Sequence, residues 1–228
     1  MKRSLFFWAL WIGFIAYAAI AAPPDQPDTV ELITNLSTGQ WDDLNPLIIS
    51  LFNIMGIWPL IYCAMLFADG RSQRIPAWPF AALSFGLGAF ALLPYLALRQ
   101  PSSEFEGDRT GLVKRMDSRI LGIVLTVAAM TLVGYAIAAG DWGDYVSQWQ
   151  TSRFIHVMSL DFCVLCGLVN ALVGDDMARR GMGDRQGLRL VAGLIPLFGI
   201  LIYLCVRSPL PSTSETATGT SAEMNLQA

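Results

Sequence analysis

The chain is poor in charge: only 14% of its 228 residues are Asp, Glu, Lys or Arg, against about 25% in ordinary soluble domains. It is equally poor in the side chains that most chemistry needs. His156 is its only histidine, which excludes a bis-histidine haem or a histidine-rich metal site within one chain. Cys63, Cys163, Cys166 and Cys205 all lie in apolar stretches, where a thiol behaves as a small hydrophobe, so the disulfide framework of a small secreted module is excluded. The chain contains no GxxxxGKS phosphate loop, no HExxH and no nucleophile elbow. The net charge of -3 is small and says nothing about nucleic acid, but no basic stripe interleaved with aromatics is present, and no nucleic acid is expected as a partner.

Long apolar runs are what the chain has in abundance. Hydrophobic residues make up 54% of it and gather into six stretches, approximately 5–22, 46–67, 77–98, 120–140, 154–173 and 188–206. Each holds about 18 to 22 residues, enough for a helix to cross a hydrocarbon core of about 30 Å. Lipid offers no partners to backbone polar groups, so such runs must satisfy them internally, as helices. The sequence therefore predicts an all-α fold, a polytopic transmembrane helix bundle of about six membrane segments. Residues 1–22 form a first transmembrane helix or a signal peptide, 23–45 an acidic non-cytoplasmic loop, 46–207 the transmembrane helical domain and 208–228 a disordered tail.

Lys2 and Arg3 followed by an apolar body, with Ala19-Ile20-Ala21 as a small-x-small site, resemble a signal peptide. The apolar length of about 18 residues exceeds the 7 to 15 of a removable segment, which favours a retained helix. Pro23, Pro24 and Pro27 end it in either case. The segment that follows carries Asp25, Asp28, Glu31, Asp42 and Asp43 and no Lys or Arg, so it belongs away from the cytoplasm.

The positive charges bear on the remaining topology. Six plain spans starting inside would leave Arg99, Arg109, Lys114, Arg115 and Arg119, together with Arg179, Arg180, Arg185 and Arg189, on the outside, against the positive-inside rule. If the third run enters and returns on one side, only Arg153 and Arg207 remain outside. Gly86-Leu87-Gly88 near the middle of that run, flanked by Pro79 and Pro94, supplies a place to bend. Six plain spans and a re-entrant third segment are both compatible with the sequence.

The fifth run is the most polar. His156, Ser159, Cys163, Cys166 and Asn170 fall on one helical stripe, expected to face the bundle interior, and Asp161 falls on the opposite side. A carboxylate at this depth costs about 2.5 to 3.5 kcal/mol on insertion scales, so it must be paired, protonated or functional. Asp161, with Asn53, His156 and Asn170, forms the candidate intramembrane polar site. It would act as a proton or ion relay or as a ligand-orienting group; the plainer reading of Asp161 is a carboxyl bonded to a neighbouring helix. Cys163-Val164-Leu165-Cys166 has the spacing of a redox pair, but disulfide exchange needs an accessible thiolate and usually a shuttle pair in an aqueous loop, and no loop carries a cysteine. Asn53 with Ser50 and Gly56 makes a small polar face suited to close helix packing. No group of residues reads as a metal site, and no cofactor is named. The charges of 104–117 and of 175–185 read as solvated connectors, and no internal repeat is evident.

The segments Ala22-Pro23-Pro24-Asp25-Gln26-Pro27-Asp28, Asn45-Pro46-Leu47, Phe52-Asn53-Ile54-Met55-Gly56-Ile57-Trp58-Pro59, Asp69-Gly70-Arg71 and Ile75-Pro76-Ala77-Trp78-Pro79-Phe80 resemble an uncharacterised family of small polytopic membrane proteins of cyanobacteria and plastids. The resemblance covers about the first hundred residues. It implies a plasma or thylakoid membrane and brings no reaction or site residues with it. The expected function is that of a non-enzymatic scaffold, or an assembly or maintenance factor, for a membrane complex. Its partners would be the lipid bilayer and other membrane-protein subunits. The alternatives are a small-solute or ion transporter with Asp161 in a polar site, and a membrane thiol redox enzyme.

Overall fold

A computed structural model describes residues 2–105 and 111–211, and these form twelve α-helices with short π and 3-10 extensions and no strand. In chain order they are α1 (Lys2–Ala16), α2 (Thr29–Thr38), α3 (Pro46–Asp69), α4 (Trp78–Leu87), α5 (Ala89–Leu98), α6 (Gly111–Met116), α7 (Arg119–Ala139), α8 (Trp142–Thr151), α9 (Arg153–Leu168), α10 (Val173–Arg179), α11 (Gln186–Leu194) and α12 (Phe198–Val206). Local chemistry sets several starts. The Asn45 side chain accepts from the Leu47 amide at 3.0 Å ahead of Pro46, and Ser118 accepts from Ile120 at 3.1 Å, each satisfying an orphan N–H of a first turn.

Among the described residues, four helical stretches are long and apolar enough to cross a membrane: Lys2–Ala21, Pro46–Ser72, Arg119–Ala139 and Arg153–Arg179. The described residues thus form an all-helical fold with four helices of membrane-spanning length and composition, where six were expected. The third and sixth apolar runs are each broken in two. In the third, Gly88 takes φ 50° and ψ -127°, which ends α4 and begins α5, a conformation that glycine reaches without a Cβ penalty. In the sixth, Pro196 holds Ile195 extended and Leu197 turns through φ 58° before α12.

Both broken runs fold back on themselves. The Phe80 ring of α4 lies 5.5 Å from Tyr95 of α5, and Gln73 before the pair exchanges two 2.7 Å hydrogen bonds with Gln100 after it. In the second pair α11 packs on α12, the Ser208 amide donates to Met182 Sδ at 3.1 Å, and Arg180 Nη1 donates to the Ser208 carbonyl at 2.7 Å. Each hairpin therefore begins and ends at one end of the bundle. Lys2, Arg3 and the other Lys and Arg of the described residues gather at that same end, except Arg153; Arg109 lies outside the described residues.

The sequence of elements occurs twice, which corrects the reading of a chain without repeats. A long helix, a ten-residue amphipathic helix, a second long helix and a hairpin run from α1 to α5, and again from α7 to α12. α1 packs along α5 as α7 packs along α12. Arg3 at the start of α1 donates to the Arg99 carbonyl at 2.8 Å, and Arg119 at the start of α7 donates to the Arg207 carbonyl at 3.4 Å. The hairpins end in related segments, Leu93-Pro94-Tyr95-Leu96-Ala97-Leu98-Arg99-Gln100-Pro101 and Leu201-Ile202-Tyr203-Leu204-Cys205-Val206-Arg207-Ser208-Pro209. The two halves meet where Trp58, fully buried, sets its ring edge on Phe162 and Tyr62 donates to the Leu165 carbonyl at 2.6 Å.

Of the charges expected in solvated connectors, Asp117, Asp176, Arg179 and Arg180 are instead buried, whereas Glu104, Lys114, Arg115, Asp184 and Arg185 are exposed as expected and Glu106, Asp108 and Arg109 lie outside the described residues. Asp69 accepts from Tyr95 Oη at 2.6 Å, from Arg99 Nε at 2.8 Å and Nη2 at 2.5 Å, and from Arg179; Arg99 also reaches Asp175 at 2.6 Å. Asp176 accepts from Tyr203 Oη at 2.6 Å, from Arg180 Nε at 2.9 Å and from Arg207 Nη1 at 3.4 Å, and Arg180 also binds Asp117. Burial alone would lower the pKa of Arg180; the facing Asp176 and Asp117 carboxylates outweigh it and hold the value above that of a free guanidinium. Each cluster pairs two carboxylates with two arginines, the arrangement in which buried charge is tolerable. The Asp117 carboxylate also accepts the Leu210 amide at 3.0 Å, so the first residues of the segment expected to be a tail, 208–211, run along the bundle; 212–228 lie outside the described residues. Asp69→Ala leaves two buried guanidinium groups facing one another, and a loss of about 3–5 kcal/mol is expected. Thermal unfolding of purified protein in detergent measures it, and an unchanged midpoint would refute the clamp.

Candidate functional site

The tip of the first hairpin lies against α9, and there a carboxylate meets a helix start. Asp161 stands eight residues into α9, about 12 Å along its axis, and is 5% exposed. Its Oδ1 accepts the Ala89 amide at 2.9 Å. Ala89 opens α5, whose first N–H groups have no intrahelical acceptor and carry the positive end of the helix dipole. The carboxylate thus acts as a cap supplied by another helix from the other half of the chain. Its Oδ2 sits over Gly88 at a place where an added Cβ would approach to 1.7 Å, and it accepts no hydrogen bond among the described residues.

A cavity of about 450 Å³ opens beside this contact. The first hairpin turns back before reaching the far end of the bundle, and the cavity occupies the space left between its tip, the end of α1, α3 and α9. Phe52, Met55, Phe85, Phe90, Phe154 and Met158 form its apolar wall, and Asp161 with Gly88 forms its floor. Arg153 and Asp25, ion-paired at 2.9 Å and partly exposed, mark its other end. Arg153 is held there by the Pro23 and Pro24 carbonyls, which accept from its Nε and its amide at 3.0 and 3.2 Å.

The four side chains of the candidate polar site do not converge. Asn53 donates to Ile49 of its own helix at 2.8 Å. His156 is buried, stacked on Trp149 at 4.3 Å, and bonded to Tyr17 Oη and the Trp149 carbonyl at 2.8 and 2.9 Å. Asn170 is exposed and donates to the Gly167 and Gly193 carbonyls at 3.2 and 3.1 Å. The stripe expected to face the interior instead turns outward from its middle, since Cys163 and Asn170 are exposed and Cys166 half-buried, and neither cysteine is in a disulfide. The Asp161 side is the inner one, because it is the side against which the hairpin tip packs. Gly88, Ala89 and Phe90 were missed as site residues, although the Gly86-Leu87-Gly88 break marked their position.

Gly88→Ala should be severely destabilising, since it places a Cβ on the Asp161 carboxylate at a positive φ, a strain of about 1–3 kcal/mol before the clash is counted. Gly86→Ala has open space around its Cβ and should be neutral or raise stability by about 0.4–1 kcal/mol. Comparing the two unfolding midpoints tests the tip geometry; equal effects would contradict it. Comparison of the chain with protein-family models, curated proteins and solved structures finds no match.

Proposed function

We propose that the protein is a membrane carrier for a small solute, with four spanning helices, two re-entrant hairpins and a binding site in the cavity above the first hairpin. In this topology the basic end of the bundle is cytoplasmic, and the third apolar run enters and leaves on that side, as does the sixth. Every described Lys and Arg except Arg153 then obeys the positive-inside rule, with Arg207 joining the cytoplasmic set. Irregular backbone at membrane depth is tolerated where protein or a cavity surrounds it, and carriers place their sites at such discontinuous helices.

The observation that carries the reading is Asp161 at the cavity floor, bonded to the first amide of a broken helix. Comparison of the two halves strengthens it. Residue 54, eight positions into α3 as Asp161 is into α9, is an isoleucine. A carboxylate required only to hold a hairpin tip in this fold would be expected in both halves. Its presence in one, beside the cavity, fits a role toward a solute. The scaffold reading has no feature of comparable specificity behind it.

Flux of small organic solutes and ions into reconstituted vesicles should fall at least about tenfold in Asp161→Asn, in proportion to the loss of a charged-group interaction of more than about 1.4 kcal/mol. Asn retains an oxygen for the Ala89 amide, so folding should survive. Flux equal to that of the unmodified protein removes Asp161 from transport. The topology is tested with single cysteines at Gln73, Glu104, Asp184 and Ser208 in a background lacking the native four. All should react with an impermeant thiol reagent from one side, and positions Asp43 and Ser147 from the other. Gln73 and Glu104 reacting from opposite sides would make the third run a plain span.

A further inference from the structure

We propose that the solute recognised in the cavity is an amphipathic monocation, an ammonium group carried on an apolar, preferably aromatic, body. This inference rests on the carrier reading of the same site and adds the chemistry of its ligand. Three independent features of the cavity point to it.

First, the floor is a carboxylate with unused capacity. Asp161 is 5% exposed and lines the cavity, its Oδ1 is engaged by the Ala89 amide, and its Oδ2 has no hydrogen-bond donor and no cation among the described residues. The charged groups of the elements around it lie elsewhere: Arg153 is at the opposite end of the cavity on Asp25, and the arginines after α5 and α10 are engaged with Asp69, Asp175, Asp176 and Asp117. A donor carrying positive charge is the group that completes such a site, by a charge-assisted hydrogen bond in a medium of low dielectric. An anionic ligand would face the carboxylate directly.

Second, the wall suits a cation with an apolar body. Phe52, Phe85, Phe90 and Phe154 present aromatic rings and Met55 and Met158 polarizable thioethers. Ring faces attract ammonium ions, and methionine accommodates varied apolar shapes. Third, the end of the bundle to which the cavity leads is acidic. Asp25, Asp28, Glu31, Asp42, Asp43, Asp141 and Asp144 lie there with Arg153 as the one basic residue among those described. Such a surface raises the local concentration of cations, in a salt-dependent way.

Three probes with one apolar body separate the possibilities: 4-phenylbutylamine, 4-phenylbutanol and 4-phenylbutyrate, titrated at neutral pH into the full-length protein in phosphatidylcholine nanodiscs, with empty nanodiscs correcting for partition into lipid. The amine should bind at least tenfold more tightly than the alcohol, and the butyrate should not bind. Asp161→Asn should weaken the amine at least tenfold and leave the alcohol unchanged. Gly56→Leu, which puts a side chain into the cavity from a position where a Cβ meets nothing within 4 Å, should weaken both without touching Asp161. Amine and alcohol bound alike, or an amine affinity indifferent to Asp161→Asn, would overturn the inference and leave a purely apolar site. Uptake of the same probes into vesicles separates the two claims. Amine binding without uptake sinks the carrier reading and keeps the cation site, whereas uptake of the alcohol without preference for the amine does the reverse.

Discussion

The fold depends on a carboxylate gripped by a tyrosine and an arginine that stand four residues apart on the helix closing each hairpin. A hairpin made of nine- or ten-residue helices has no arm of membrane-spanning length. Its two ends lie together at one end of the bundle and are fastened there. Tyr95 and Arg99 on Asp69, and Tyr203 and Arg207 on Asp176, do this with charge-assisted bonds between residues 26 to 31 positions apart. Removing such charges from water is costly, and the cost is offset because each arginine also donates to a backbone carbonyl of a neighbouring helix.

Those carbonyls belong to the opposite half of the chain. Arg99 donates to Ala171 at 2.9 Å and Arg207 donates to Ala64 at 3.0 Å, so each hairpin is tied to its own long helix by the carboxylate and to the other half's helix by the carbonyl. The opposite end of the bundle is crossed in the same way. Asn45 donates to the Asp141 carbonyl at 2.7 Å, and Arg153 to Pro23. The two halves are interlocked at both ends rather than joined as separable units. That rigid frame holds Asp161, from one half, in register with a hairpin tip from the other.

The apolar runs were legible because their signal is local: length, hydropathy and punctuation by Asn45-Pro46 or Pro23-Pro24 suffice for the long helices. The weak point at Gly86-Leu87-Gly88 was legible for the same reason. The second break was not, since Ile195-Pro196-Leu197 contains no glycine and a single proline inside an apolar run usually only kinks a helix. The duplication was hidden because its halves share geometry more than residues. Its trace is an Asp followed 26 and 30 positions later by Tyr and Arg, and again at 27 and 31, a pattern too sparse to detect without knowing that the intervening run folds back. The same ignorance made Asp176, Arg179 and Arg180 look like solvated loop charges, although they sit in the last turn of a membrane helix and beside it, facing two buried arginines and a tyrosine. Asp161 stood out as costly where it was, but the amide that meets it lies 72 residues away and has no side-chain signature at all.

The cross-bonding imposes an order on synthesis. The first hairpin emerges from the ribosome before the groups that finish it: Asp161 follows Ala89 by 72 residues, and Arg179 follows Asp69 by 110. At about 5–20 residues per second, the tip waits roughly 4 to 14 s for its cap. During that interval Asp69 has only Tyr95 and Arg99, and the Ala89 amide has no acceptor. The hairpin is therefore held by one clamp at its base while its tip stays uncapped, until Asp161 of the second half meets the Ala89 amide.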